Sequence, residues 1–212
     1  MRIIKKTVKT IYFLLLEYWS QYLFDSTGVK NINLCCGPQI IPGYIGIDMG
    51  GDVDLRMNLK SGKLPFKSGA IETVICTSAI NYFTRSRGQE IVNEVYRVLK
   101  PGGVARFSAQ DLESIARRYV EKDSAFFFQK LPDGSERFEG QTLGDKFAAW
   151  FYGYVSSGFP CQYFYDYDSL AYLFKTAGFT VVEKKEYMQS RLDHIDLIDN
   201  RPDQMFYLEG IK

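Results

Sequence analysis

The sequence predicts one α/β domain, because segments with strand and helix patterns alternate along the chain. Residues 32–36 are a short apolar run of the kind that fills a buried parallel strand, and a glycine and a proline end it. Residues 71–77 and 104–109 are two more such runs. Between these runs, residues 89–99 place apolar side chains at helical spacing before a Lys-Pro-Gly-Gly stretch stops the helix.

Composition limits the classes of partner. The chain has 212 residues, of which 46% are hydrophobic, so it can bury one good core. Its 26 basic and 25 acidic side chains produce no global field, and we therefore predict no nucleic-acid partner. The four cysteines show no C-x-x-C spacing, which indicates neither a metal site nor a disulfide framework and favours a cytoplasmic location: Cys35, Cys36, Cys76 and Cys161.

Residues 1–28 predict an amphipathic N-terminal helix. Glu17 interrupts the apolar run 11–16, so the segment is too short and too polar to span a bilayer, and Gly28 is expected to end the helix. Apolar side chains recur at helical spacing opposite the basic residues Arg2, Lys5, Lys6 and Lys9: Ile4, Val8, Ile11, Leu15, Tyr18 and Tyr22. We expect the helix to pack on its own domain, and peripheral membrane contact is the second choice.

The connection after the first strand is unusually short. Only residues 38–43 separate Gly37 from Tyr44, whereas a parallel crossover normally needs a dozen residues or more, usually a helix. One face of the sheet therefore lacks its usual cover. We predict that the N-terminal helix covers it.

An acidic residue ends the predicted second strand. Residues 44–47 have strand character, and Asp48 follows them. In nucleoside-binding α/β sheets, a glycine turn after the first strand lets the backbone approach the ligand, and an acid at the end of the second strand binds a ribose diol. Gly37 and Asp48 fit this pattern, which is a weak signal when taken alone.

Six segments along the chain form a recognisable series: Asn33-Leu34-Cys35-Cys36-Gly37-Pro38, Tyr44 to Asp48, Leu64-Pro65-Phe66, Tyr96-Arg97-Val98-Leu99-Lys100-Pro101-Gly102-Gly103, Asp199-Asn200-Arg201-Pro202 and Tyr207 to Lys212. In this order they resemble the class I S-adenosylmethionine-dependent methyltransferases, and within them a small, stand-alone, type 11-like branch. The resemblance implies a Rossmann-like seven-stranded sheet, mostly parallel with the last strand antiparallel, flanked by helices, and S-adenosylmethionine as cofactor.

The resemblance also implies a cofactor site. Backbone near Cys36 and Gly37 would approach the methionine end of the cofactor, and Asp48 would accept from both ribose hydroxyls. The full set is Cys35, Cys36, Gly37, Asp48, Met49, Asn58, Leu59, Thr77 and Ser78. Asn58 and Leu59 would bracket the adenine, and Thr77 and Ser78 would lie under the sulfonium. The alternative for each residue is packing or turn chemistry, and for Asp48 it is an exposed acid at a strand end.

Two departures from the branch concern activity more than fold. Cys35 stands where the first glycine of the G-x-G turn is usual, so its thiol is expected near the cofactor unless the strand turns it into the core. The branch usually carries H-x-x-E-H after the fourth strand, and here the corresponding positions are Ser78, Asn81 and Tyr82. These positions supply no acid, base or metal ligand.

Asp111 and His194 are the candidate catalytic bases. Asp111 follows the fifth predicted strand, at the edge where such sheets bind ligands, and His194 is the only histidine. The alternative for Asp111 is a helix N-cap ahead of residues 112–119, and for His194 a solvated loop position.

Residues 120–167 predict an aromatic-rich insertion within the single domain 1–212. Its position after the fifth strand is where a substrate lid belongs, with a subunit interface of a homo-oligomer or a small satellite core as equal alternatives. Residues 168–177 then predict a helix, and residues 179–187 and 204–211 the last two strands.

The sequence therefore predicts a methyltransferase that acts on a small-molecule or glycan-like acceptor. Methyl transfer mainly requires that nucleophile, methyl group and sulfur be held in line, so it tolerates the loss of acid–base groups. The alternative is a non-catalytic binding module that keeps the fold. An NAD-dependent oxidoreductase is a distant third interpretation, because no G-x-G-x-x-G opens a helix.

Overall fold

A computed structural model describes residues 14–60, 62–152 and 160–212. They contain a seven-stranded sheet in the order β3-β2-β1-β4-β5-β7-β6, in which β7 runs antiparallel to both neighbours and the other pairs are parallel. This confirms the predicted fold class. The strands are β1 Asn31–Leu34, β2 Ile45–Asp48, β3 Leu55–Arg56, β4 Ile71–Thr77, β5 Leu99–Gln110, β6 Val181–Lys185 and β7 Met205–Ile211.

Helices lie between and beside the strands. They are α1 (residues 14–23), α2 Arg85–Val98, α3 Leu112–Val120, α4 Ser124–Phe127, α5 Leu143–Trp150, α6 Tyr167–Ala177 and α7 Ile195–Ile198, with a 3-10 turn at Ile80–Tyr82. α2 begins four residues before the predicted start because the Thr84 side chain accepts from the Arg87 N–H as an N-cap. α6 ends at Gly178, whose φ of 107° favours glycine.

The main core lies between the sheet and the helices α2 and α6. Ile91, Val92 and Val95 of α2 are buried in it, as the helical spacing predicts. Leu170 and Phe174 of α6 pack into the same cluster. The buried strands are thereby fixed, and their carboxyl ends open on one edge of the sheet.

The prediction that the N-terminal helix covers the bare face is wrong for its described residues. Ile41 of the short connection packs with Ile75 of β4 and Ile198 of α7 in a separate apolar cluster. The link itself and a C-terminal segment therefore cover this face. The residues Arg2, Ile4, Lys5, Lys6, Val8, Lys9, Ile11 and Tyr12 lie outside the described part.

α1 lies instead along the edge of the sheet. The Ser20 hydroxyl accepts from the Arg56 N–H at 2.8 Å, and a Glu17 carboxylate oxygen accepts from the Asn58 N–H at 2.8 Å. These bonds satisfy backbone donors on and beside the edge strand β3. Phe24, just past the helix, packs edge-on against Phe66 of the core.

The described part of the insertion forms a satellite core. Ile115 of α3 is buried with four aromatic residues, Phe126, Phe127, Phe138 and Trp150. Tyr154 and Phe159 lie outside the described residues. The insertion therefore has an apolar cluster of its own, one of the two alternatives that the sequence left beside a lid.

Candidate functional site

A cavity of about 740 Å³ opens at the carboxyl ends of β1, β2 and β4. All nine residues of the predicted cofactor site line it: Cys35, Cys36, Gly37, Asp48, Met49, Asn58, Leu59, Thr77 and Ser78. The other lining residues are Pro38, Gln39, Met57, Lys60, Ala79, Tyr82, Phe83, Asn200 and Arg201. Parallel strands bring segments that are far apart in sequence to this edge, which is where open α/β sheets bind ligands.

The turn after β1 holds its shape through left-handed backbone. Cys35 has φ of 53° and Gly37 has φ of 55°. The Cys36 N–H donates to the Ile47 carbonyl at 3.2 Å and continues the β1–β2 ladder into the turn. Cys35 thus adopts the conformation that glycine adopts without cost, so the departure from G-x-G leaves the backbone path intact.

The Cys36 side chain packs closely on Gly46 of β2. A Cβ at Gly46 would lie 3.0 Å from the Cys36 sulfur, so the thiol would have to move by a few tenths of an ångström to admit it. The Gly46 N–H donates to the Asp54 carboxylate at 2.7 Å. The second strand is therefore held from both sides just before Asp48.

The Asp48 carboxylate is oriented by the backbone around it. One oxygen accepts from the Gly37 N–H at 2.9 Å, and the other accepts from the Met49 N–H at 2.6 Å. Each carboxylate oxygen keeps acceptor capacity for a further donor. Asp48 thus both closes the turn and presents its carboxylate at the cavity.

Burial keeps the nearby thiols protonated. It raises the pKa of Cys36 to about 11 and that of Cys76 to about 12, and Asp48 adds to both shifts. Burial, with Cys76 and Asp48 beside it, also raises the pKa of the Cys35 thiol well above its ordinary value. At neutral pH these are neutral thiols, which are poor nucleophiles and poor metal ligands.

Asn58 lines the cavity from the loop after β3. Its amide oxygen accepts from the Lys60 N–H at 2.9 Å, and its own N–H donates to Glu17. The side chain therefore shapes the loop after β3, and its amide oxygen keeps a lone pair for a further donor. The buried side chains of Met57 and Leu59 give this end of the cavity an apolar wall.

The opposite end of the cavity is polar. Ser78 follows β4 with φ of 57°, and its hydroxyl donates to the Asn200 side-chain oxygen at 3.1 Å. The Thr77 hydroxyl donates to the Ile198 carbonyl at 3.3 Å. Arg201, with φ of 53°, lines the same end. Left-handed residues thus cluster at this cavity, as strained backbone often does at functional sites.

A buried ionic network holds the segment that supplies Asn200 and Arg201. Arg106 of β5 donates to Asp199 through its Nε at 2.8 Å and to Glu209 of β7 at 2.8 Å. The Arg106 side chain is 1% exposed. The Asp199-Asn200-Arg201-Pro202 segment carries part of the resemblance, but its place at the cavity was not predicted. Arg106 inside an apolar strand is the sequence signal that could have indicated a buried partner for this segment.

The structure does not bring Asp111 and His194 to the cavity lining. The Asp111 side chain accepts from the Ser114 N–H at 3.1 Å as the N-cap of α3, which was the alternative interpretation. His194 is exposed and precedes α7 with φ of 60°.

Two of the positions after β4 that depart from the family pattern, Asn81 and Tyr82, have different surroundings. Asn81 is 1% exposed, donates to the Tyr163 carbonyl at 3.0 Å and accepts from the Gln110 N–H at 3.2 Å. It ties the end of β5 to the end of the insertion. Tyr82 lines the cavity. Asn81 therefore holds the structure around the site together and does not reach into the cavity.

Comparison with known proteins gives a fold, and a family model matches part of the chain. Residues 51–107 match the family model described as a methyltransferase domain. No curated protein matches the chain in sequence. A methyltransferase structure from Mesorhizobium loti has a TM-score of 0.50 and 14% identity, covering 90% of this chain and 94% of that one. One from Archaeoglobus fulgidus has a TM-score of 0.51 and 10% identity, covering 94% of each chain.

At these identities the structural likeness shows the fold, a Rossmann-like methyltransferase sheet. The family match adds that residues 51–107, which include β3, β4, α2 and part of β5, are similar to a methyltransferase domain. Among the described residues, no group of three or more His, Cys, Asp or Glu side chains could hold a metal ion. In the same part of the chain, no helix has the length and apolarity needed to cross a membrane.

Proposed function

We propose that the chain transfers the methyl group of S-adenosylmethionine to a small-molecule or glycan-like acceptor bound in the cavity next to Ser78. The observation that carries the proposal is the convergence of all nine expected cofactor residues on one cavity. Its volume, about 740 Å³, falls within the usual range for small-molecule and cofactor sites.

The residues present fit a nucleoside cofactor. The Asp48 carboxylate is aimed by two backbone N–H groups and suits a diol, which donates two hydrogen bonds. Met57 and Leu59 suit the face of a base. The methionine end would lie along the Cys35 to Gly37 turn, whose left-handed conformation brings backbone to the cavity surface.

When bound, the cofactor supplies an electrophilic methyl group, and the chain's contribution is to bind, orient and exclude water. Ser78, Tyr82 and Asn200 surround the polar end with groups that can hydrogen-bond a hydroxyl-bearing acceptor. Asp48 is the only carboxylate among the described lining residues. This composition favours acceptors that are nucleophilic enough to react once they are positioned, without a strong base from the protein.

A non-catalytic binding module is the second candidate. It is favoured by the residues at the H-x-x-E-H positions, because Ser78, Asn81 and Tyr82 supply no acid, base or metal ligand there, and the Asn81 amide is bonded to Tyr163 and Gln110. Such a protein would bind the cofactor without turning it over.

Calorimetry with S-adenosylmethionine and with its demethylated product tests the shared premise. Asp48→Ala should weaken binding by about 1.5–3 kcal/mol, the range for charge-assisted hydrogen bonds, or roughly tenfold to 150-fold in Kd. Asp54→Ala is the matched control, because Asp54 also accepts a backbone N–H but does not line this cavity. Equal affinities for the wild type and a folded Asp48→Ala variant would contradict the site assignment.

Methyl transfer separates the two candidates. Isotopically labelled S-adenosylmethionine should pass label to members of a panel of hydroxyl-bearing, amine-bearing and sugar acceptors. Tight cofactor binding without label transfer to any class of acceptor would favour the binding module.

A further inference from the structure

The polar face of α1 points toward the protein and its apolar face points outward. Glu17 and Ser20 bond to backbone N–H groups at the β3 edge. The outward residues are all more than half exposed: Leu14, Leu15, Tyr18, Trp19, Tyr22 and Leu23. A surface helix of a soluble domain ordinarily has the opposite orientation, with its apolar stripe on the core.

Hydrogen bonding fixes this orientation. An edge strand carries backbone donors that need partners, and the polar side chains of α1 supply them. Rotation of the helix to bury Tyr18 and Tyr22 would remove Glu17 and Ser20 from these donors. The outward apolar face is therefore part of the fold, and contiguous faces of this kind mark interaction sites.

The composition of the face indicates the kind of partner. The Tyr18 and Tyr22 rings stack with centroids 6.1 Å apart, and the Trp19 ring lies edge-on to each at 6.0 Å. Tyrosine and tryptophan combine an apolar body with a polar tip, and they are enriched where hydrocarbon meets water. Leucines flank them on the same side.

The charge of the sequence before α1 also indicates the kind of partner. In the sequence, Arg2, Lys5, Lys6 and Lys9 precede α1, and the first acid is Glu17, which α1 uses against the Asn58 N–H. Basic residues next to an aromatic apolar helix are attracted to anionic lipid headgroups. Every copy of the chain has the same excess of basic residues before Glu17, so this charge favours an anionic surface over a second copy of the chain.

We propose that α1, with the basic segment before it, docks this chain on an anionic membrane surface, with the helix in the plane of the interface. Leu15, Trp19 and Tyr22 enter the headgroup region, and the basic residues that precede them in the sequence supply the positive charge that attracts anionic lipid. This inference does not depend on methyl transfer.

Tryptophan fluorescence of the full chain gives a direct test. The chain has two tryptophans, and Trp150 is 1% exposed whereas Trp19 is exposed, so a change on adding vesicles reports Trp19. Vesicles of phosphatidylcholine with phosphatidylglycerol should shift the emission to shorter wavelength. Brominated lipid should quench it, and pure phosphatidylcholine should bind at least about tenfold more weakly. High salt should reduce binding to the anionic vesicles.

Variants separate the contribution of the apolar face to membrane binding from that of the basic residues. Leu15→Ser with Tyr22→Ser keeps Trp19 as reporter and should lower vesicle partitioning by about tenfold or more. Lys5→Gln with Lys6→Gln should lower it on anionic vesicles only. Tyr172→Ser is the matched control, because Tyr172 is an equally exposed tyrosine on α6, and it should bind as the wild type does.

Two results would overturn the proposal. One is the absence of wild-type binding to anionic vesicles at low salt. The other is a stable dimer in sedimentation that Leu15→Ser with Tyr22→Ser dissociates, while brominated lipid leaves Trp19 unquenched; the face would then be an interface between copies. Unchanged cofactor affinity and cooperative unfolding of each variant establish that it is folded.

Discussion

The two ends of the cavity are built in different ways. The end near Asp48 is closed by short-range bonds, such as the one from the Gly37 N–H to a carboxylate 11 residues later. The end near Ser78 depends on Asn200, which is 122 residues away in sequence. Short-range turns leave a readable pattern in the sequence, whereas a site assembled by a distant segment shows only after folding.

Arg106 is the residue that makes the distant segment rigid. It holds Asp199, directly before Asn200, and its guanidinium also lies over the Tyr207 ring at 5.3 Å. The Tyr207 hydroxyl donates to the Asn200 carbonyl at 2.6 Å. The positions of the residues at the polar end of the cavity therefore depend on this network.

The largest expected effect comes from Arg106→Met. It leaves the Asp199 and Glu209 carboxylates buried without their cation, and removal of one partner from a buried ion pair costs about 3–5 kcal/mol. Urea unfolding should show this loss of stability. Where the variant is folded, its S-adenosylmethionine affinity should fall less than that of Asp48→Ala, because Asp48 and its turn lie outside the network, whereas Ser78 is bonded to Asn200 beside it.

Lys185→Met is the matched control for Arg106→Met. Lys185 pairs with Glu183 on the edge strand β6, where both side chains reach water, and such pairs contribute about 0–1 kcal/mol. Similar losses in the two variants would contradict the special role of Arg106.

The next effect in size concerns the tie between β5 and the insertion. Asn81→Leu removes the partners of the Tyr163 carbonyl and the Gln110 N–H, and the two unsatisfied groups should cost about 2–4 kcal/mol together. Thermal unfolding measures the loss. An Asn81→Leu variant as stable as the wild type would mean that this tie is not needed to join the insertion to the sheet.

The sequence predicted individual strands and the Asp48 turn because their patterns are local, whereas the seven-stranded sheet was implied by the resemblance to a family. Apolar runs mark β1, β4 and β5, and Asp48 ends β2 at the position where its carboxylate can reach the Gly37 N–H. The residues that cover the sheet face beside the short connection were not predicted, because Ile41 packs with Ile198, which is far away in the sequence. The orientation of α1 was missed because periodicity gives the apolar stripe but not which side faces the protein.

A smaller effect tests whether Asp111 acts only as a cap. Asp111→Ala should destabilise the fold by about 1 kcal/mol, the usual cost of an N-cap, and should leave methyl transfer unchanged. Thr142→Ala, which removes the N-cap of α5, is the control with the same expected cost. A large loss of transfer in Asp111→Ala alone would return Asp111 to the catalytic candidates.

The smallest expected effect tests the turn at Cys35. At most helix and strand positions glycine is less stable than alanine by about 0.5–1 kcal/mol. At residue 35 the order should reverse, because φ of 53° strains any side chain that has a Cβ. Cys35→Gly should therefore be more stable than Cys35→Ala by up to about 1 kcal/mol, or roughly 2–4 °C in Tm.

Cofactor affinity completes the test of residue 35. The Cys35 side chain packs against the main core and also lines the cavity, so Cys35→Gly should tighten binding only if the thiol obstructs the cofactor. Since the backbone already follows the path of a glycine, we expect a change of less than about threefold, which is below 1 kcal/mol. A much tighter complex would mean that the thiol, and not the distant Asn200 end, limits what the cavity can hold.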